Sequence, residues 1–242
     1  MSQSLVNKQH VLPAKSIERF CNSDGNVQVR RLKSGNTFPA KPNNNIFCVT
    51  RIWDQRCEQG YGKGIEDRFQ ELVEYVLANK LKSLPLRGHK TATEFYALWC
   101  LRSSIKSYDK YGEGILLETT DNNLSEEQKI AVELKHSIYI EPNGVVPDHF
   151  KRGLTIQIAV EQFVLRNPQL KWSICCSDSL EFIVSDNPEG EFIIPITPKQ
   201  CFICGFDITQ LSSEQMTQLN LNALARSKEY YFACDLGSCI RA

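Results

Sequence analysis

Between residues 60 and 168 apolar positions recur at helical spacing, whereas after Pro168 they gather into short runs broken by turn residues. Ile65, Phe69, Leu72, Val73, Val76 and Leu77 share one face at 3.6-residue periodicity, which predicts an amphipathic helix over 65–77. The stretch 91–105 repeats the pattern, with Phe95, Leu98, Trp99, Leu101 and Arg102 at its centre. Ser125 followed by Gln128 reads as a capping box opening a third helix. Asp148 is placed to cap a fourth, which runs to Arg166 and stops at Asn167-Pro168. Leu211–Ser227 predicts one more helix.

Strand-like runs fall at 171–175, 180–184, 191–194 and 200–204, and Tyr230–Cys234 closes the series. Near the N-terminus, Pro13 suits the first turn of a short helix that presents Val11, Leu12, Ile17 and Phe20 to one side. Asp24-Gly25 is a hairpin signal, with Val27–Leu32 as the returning strand. Residues 36–46, rich in Asn and Pro, read as a loop, and Ile46–Val49 as a short strand or a buried anchor. Helices in one block followed by a strand meander predict an α+β fold. We expect one domain over 1–242: an N-terminal hairpin and loop (1–50), a helical region (60–168) and a C-terminal antiparallel sheet (169–242).

Lys plus Arg number 28 and Asp plus Glu 28, so the net charge is zero. That balance disfavours nucleic acid as a partner, although it leaves room for a local basic groove. No run reaches the roughly 18 apolar residues of a spanning helix. The opening Met1–Lys8 lacks the apolar core of a signal peptide. A cytoplasmic address without membrane contact is therefore expected, and the ten cysteines should be reduced thiols. Cys175-Cys176 and Cys201…Cys204 invite a zinc reading, but residues one or three apart on a strand face opposite ways. We expect small buried hydrophobes there and no metal.

The densest polar signal is Phe182-Ile183-Val184-Ser185-Asp186-Asn187-Pro188, followed by Phe192–Ile196. Three polar side chains at the mouth of an apolar hairpin exceed what a turn needs. Together with His10-Val11-Leu12-Pro13, Phe20, Ile65-Glu66, Arg102, and Asn222–Ala225 ahead of Tyr230–Phe232, this pattern resembles the bacterial domain of unknown function 4238. The resemblance covers nearly the whole chain. Val11 stands where that family has Tyr, and Ser103-Ser104 stand where it has Thr-Pro after the arginine. The family has no settled activity, and the resemblance implies a setting in bacterial defence or toxicity.

His10, Glu66, Arg102 and Asp186 are polar residues in apolar segments, and burying them is costly unless they are paired or functional. In a hydrolytic reading His10 is the general acid or base and Asp186 orients it or holds a metal. Ser185 and Asn187 complete the catalytic set. Arg102, with Glu66 beside it, would clamp a phosphate or carboxylate. In the structural reading Asp186 and Asn187 cap backbone, and Arg102 pairs with Glu66 or Glu71.

Ser103–Lys106 also fits Ser-x-x-Lys, and Ser185-Asp186-Asn187 fits the second motif of penicillin-binding enzymes, but no Lys-Thr-Gly follows. Gly60–Gly64 lacks phosphate-loop spacing and reads as a flexible lead into the next helix. Glu133-Leu134-Lys135 mimics half of a nuclease motif, in a helix. Arg30-Arg31 with Lys33, and Lys151-Arg152, read as solvated charge. Trp53 could supply aromatic stacking, whereas Trp99 belongs to the core. The expected function is hydrolysis of a phosphate-containing or nucleotide/nucleic-acid substrate, a small-molecule or nucleotide-like one being the expected partner, with no cofactor specified. The alternative is a non-catalytic interaction, immunity or regulatory module.

Overall fold

The computed structural model describes residues 4–106, 123–206 and 208–240. Its fold is α+β. The N-terminal part contains β1 (Lys8–His10), α1 (Ala14–Glu18), β2 (Val27–Arg31), β3 (Thr37–Ala40) and β4 (Cys48–Thr50). A π-helix (Arg56–Gly62) runs directly into α2 (Lys63–Asn79), and α3 (Leu86–Lys106), α4 (Glu126–Leu134) and α5 (Asp148–Arg166) follow. The C-terminal part alternates β5 (Trp172–Cys176), β6 (Val184–Ser185), β7 (Ile193–Thr197), β8 (Gln200–Cys204), α6 (Ser213–Arg226) and β9 (Tyr230–Ala233).

The hairpin near the N-terminus lies downstream of its expected position. Gly25 does turn at φ 73°, but the chain enters that turn from α1 rather than from a strand, and Asn22 caps it by accepting the Asp24 and Asn26 amides. The hairpin pairs β2 with β3 instead. Gly35, at φ 66°, closes it, because a left-handed turn residue costs glycine nothing. Part of the expected 36–46 loop is therefore strand.

The C-terminal meander is also divided. β5, β8 and β7 form one antiparallel sheet, while β6 and β9 join β2 and β3 in the order β3-β2-β9-β6. The Ser185–Pro188 corner is thus no hairpin mouth: β6 pairs with β9 and β7 with β8. Both ends of the chain share one sheet, because β9 inserts between β2 and β6.

Capping follows the sequence at α4 and α6, where Ser125/Gln128 and Ser212/Gln215 form complete capping boxes. At α5 the cap position falls on Pro147, and Asp148 instead pairs with Lys151 at 2.6 Å. The apolar faces of α2 and α3 meet at Phe69 and Phe95, whose rings stack 3.6 Å apart. Phe69 also meets Phe202 of β8 edge-on at 6.0 Å. The same core continues through Phe20 and Phe47 to Phe232 of β9, and Trp99 lies within it. This packing delivers the last turn of α3, with Arg102 and Ser103, to the back of the Ser185–Pro188 corner.

Candidate functional site

At the corner, every named polar side chain is bonded to backbone. The Asp186 carboxylate accepts the amides of Lys228, Glu229 and Tyr230 at 2.8, 2.9 and 3.4 Å. The Ser185 hydroxyl donates to the Asn187 carbonyl at 3.1 Å and accepts its amide at 3.0 Å, and Ser227 donates to that same hydroxyl at 2.9 Å. Asn187 donates to the Arg226 carbonyl at 3.2 Å, satisfying an end group of α6. The corner thus holds the turn between α6 and β9. Burial raises the Asp186 pKa even though these amides and Lys106 favour its charge.

Arg102 lies on the other side of α3's last turn and is 1% exposed. Its guanidinium donates to Glu66, to Glu58 at 3.2 Å and to the His10 carbonyl at 3.3 Å. It lies 5.1 Å above the Trp53 ring, whose N–H donates to Glu58 at 2.6 Å. Burial opposes the arginine charge, but Glu66 and Glu58 outweigh it and raise the Arg102 pKa. Burial also raises the pKa of Glu66, against the pull of Arg102. A Cβ at Gly62 would lie 2.6 Å from Arg102 Nη2 and 2.7 Å from the Cys57 carbonyl oxygen, so glycine is needed there.

The structure therefore links the distant residues, but through backbone atoms. Arg102 reaches the His10 carbonyl, and the Ser103 hydroxyl donates to the Asp186 carbonyl. The His10 ring bonds instead to the Pro42 carbonyl at 3.2 Å. Arg102 pairs with Glu66 as one reading allowed, and with Glu58 rather than Glu71. Trp53 is spent beneath the guanidinium and offers no stacking face. The Gly60–Gly64 lead is wound into the π-helix and the start of α2 rather than flexible; this wide turn sets Glu58 beside Arg102. Lys106 of the Ser-x-x-Lys match pairs with Glu229 at 2.6 Å, and Ser103, buried against the Asp186 carbonyl, has no base beside it among the described residues.

A second buried network went unseen in the sequence. Glu133 of α4 is 1% exposed. It accepts the Gln55 amide at 3.0 Å, pairs with Arg51 and lies 3.3 Å from His149 Nε2. Asp54, equally buried, pairs with Arg56 at 3.4 Å. A Cβ at Gly153 would fall 1.8 Å from its carboxylate. Arg152, expected in solvent, is buried on α5. No local pattern separates Glu133 from exposed Glu126 and Glu127, because its burial depends on contact with residues 51–55.

Cys57, Cys175, Cys201 and Cys239 are buried, whereas the other six cysteines, Cys176 and Cys204 among them, are half-buried rather than fully buried as expected. Cys175 and Cys201 face each other across the β5–β8 ladder, and all ten cysteines are free. Burial pushes Cys57, Cys100, Cys204 and Cys239 to about 12 and Cys175 to about 11. Such groups stay protonated and are poor nucleophiles or metal ligands. Among the described residues no cluster of three metal-ligating side chains forms, and no helix is long and apolar enough to cross a membrane.

Beside the corner opens a cleft of about 450 Å³ between the ends of β2, β4 and α3 and the 228–230 turn. Among the described residues, Arg31, Lys33, Lys106 and Lys228 line it against a single carboxylate, Glu229. Arg31, Lys33 and Lys228 have no ion pair among the described residues. Tyr230 forms part of the wall. Burial, reinforced by Asp186 and Glu229, holds its phenol well above the ordinary pKa, so the hydroxyl remains a donor. None of the six residues singled out in the sequence lines this cleft. The Arg31 and Lys33 patch does.

Compared with family models, curated proteins and solved structures, the chain matches none.

Proposed function

We propose that the chain is a non-catalytic recognition module that binds a phosphate-bearing, nucleotide-like ligand in the cleft between Arg31, Lys33, Lys106 and Lys228. The observation that carries this reading is four cations against one carboxylate, among the described residues, in a cleft of about 450 Å³. In a chain of zero net charge, that is a local excess. Anionic oxygens would replace water around the free cations, and Lys106 is already fixed by Glu229 and by the Tyr230 ring 5.4 Å from its ammonium. The Asp186 carboxylate, held by three amides, is a framework for the 228–230 wall rather than a base. A cytoplasmic setting and an immunity or regulatory role belong to the same proposal.

Calorimetric titration with ADP, and with adenosine as the phosphate-free counterpart, tests it. The expected result is saturable, salt-sensitive ADP binding, at least tenfold weaker in Arg31→Glu and Lys228→Glu, with adenosine inert. Absence of ADP binding, or equal binding of adenosine, would overturn the anion site. Phosphate release from ADP that disappears in a well-folded Asp186→Asn variant would instead restore the hydrolase.

A further inference from the structure

On the opposite end of α3, two adjoining clefts share His89 and Lys171. One, of about 360 Å³, lies between the start of α3 and the end of α5. The other, of about 340 Å³, lies beside the start of β5. Their walls have a composition unlike the phosphate cleft. Leu86, Val164, Leu165 and Leu170 give the first an apolar side. Leu86 and Leu165 are 85% and 76% exposed, the two most exposed large apolar side chains among the described residues. Two such leucines meeting at the rim of one concave surface suit a ligand that covers both.

The polar side has one sign. Lys90 and Lys171 line the first cleft and Lys82 and Lys171 the second, and among the described residues no Asp or Glu lines either. Lys90 has only a 3.6 Å contact with Glu94, which is itself held by Arg68 at 2.9 Å. Lys82 and Lys171 have no ion pair among the described residues.

His89 supplies direction. Its Nδ1 accepts the Trp172 amide at 3.1 Å. In the neutral ring the proton is therefore on Nε2, which is left as a donor without a protein partner among the described residues. Burial, with Lys171 nearby, lowers the His89 pKa and favours that neutral form. Thr93 is already used, accepting the Trp172 indole N–H at 2.9 Å and donating to the His89 carbonyl at 2.8 Å.

We propose that this double cleft binds a small amphipathic carboxylate, its hydrocarbon body against Leu86, Val164 and Leu165 and its carboxylate among Lys171, the His89 N–H and Lys82 or Lys90. An unbranched or aryl-bearing monocarboxylic acid has the required polarity. A polyphosphate lacks the apolar body, and an amine has the wrong charge.

Octanoate is the probe, with octylamine and inorganic phosphate as counterparts, followed by calorimetry and by the fluorescence of Trp172 in the wall of the second cleft. Octanoate should bind saturably, and Lys171→Glu and Leu165→Asp should each weaken it at least tenfold. Both substituted positions are exposed, so an unchanged melting temperature verifies folding. Lys228→Glu, in the phosphate cleft, should leave octanoate affinity within twofold, so failure of one site is distinguishable from failure of the other. Equal affinity for octylamine, octanoate binding unaltered in both variants, or no binding at all would overturn the proposal.

Discussion

The Asp186 carboxylate accepts the Lys228 amide at 2.8 Å across 42 residues of sequence. Glu229 and Tyr230 add two more amides to the same side chain, so one carboxylate organises the whole turn by which α6 enters β9. Because β9 sits between β2 and β6, that turn sets the register of a strand central to the sheet. It also forms the floor of the basic cleft.

Replacing Asp186 should therefore act on stability first. Asp186→Ala removes acceptors for charge-assisted bonds and should cost about 2–3 kcal/mol. Asp186→Asn keeps one acceptor oxygen and should cost about 1 kcal/mol. Urea unfolding followed by far-UV circular dichroism measures both. A stability unchanged by Asp186→Ala would mean that the turn does not depend on this carboxylate.

Arg102 offers a different test, because its charge is buried with two partners. Removing it strands Glu58 and Glu66, and loss of one member of a buried pair costs about 3–5 kcal/mol. Arg102→Lys retains charge but not the planar fork that spans Glu66, Glu58 and the His10 carbonyl. It should therefore recover less than half of the loss. The triple variant Arg102→Met, Glu58→Gln, Glu66→Gln removes the stranded charges and should be more stable than Arg102→Met alone, as a denaturation comparison would show. The reverse order would mean that Arg102 acts through something other than this network.

These two cases mark how far the sequence could be read. Helix positions followed from apolar periodicity, since α2, α3 and α5 each bury a continuous face, and Ser125 with Gln128 announced the start of α4. Sheet membership did not follow. Val184–Ser185 and Ile193–Thr197 are close in sequence, but their partners, β9 and β8, are chosen by packing against distant segments. At the site, the polar content of Ser185–Asn187 pointed to a special corner, while its role as a cap for the 227–230 segment depended on where α6 ends. Glu58 was hidden by the glycines around it, which read as flexibility although Gly62 is there to admit the Arg102 guanidinium. The Arg31 and Lys33 charges looked like solvated surface because Lys106 and Lys228 join them only in three dimensions.

Glu133 gives a pH-dependent prediction. Burial alone would raise its pKa, but the His149 ring, the Gln55 amide and Arg51 together outweigh burial and hold the pKa below the usual carboxylate range. An acid with a lower pKa folded than unfolded binds fewer protons when folded. Its stabilising contribution is therefore complete above the unfolded value, about 4.3, and is lost as pH falls through the folded value. Burial raises the pKa values of Asp54, Glu66 and Asp186; their contributions run the other way, with stability falling as pH rises between the unfolded and folded values. The total profile mixes both signs, and the informative quantity is the difference between the native chain and Glu133→Gln. Near neutral pH, Glu133→Gln should cost about 2–4 kcal/mol, since Arg51 loses its buried partner. That cost should shrink steadily once the pH drops below about 4, because the native glutamic acid then becomes neutral like the glutamine. Urea midpoints at a series of pH values measure the difference. A cost that stays constant down to the acid limit would show that Glu133 anchors α4 by shape rather than by charge.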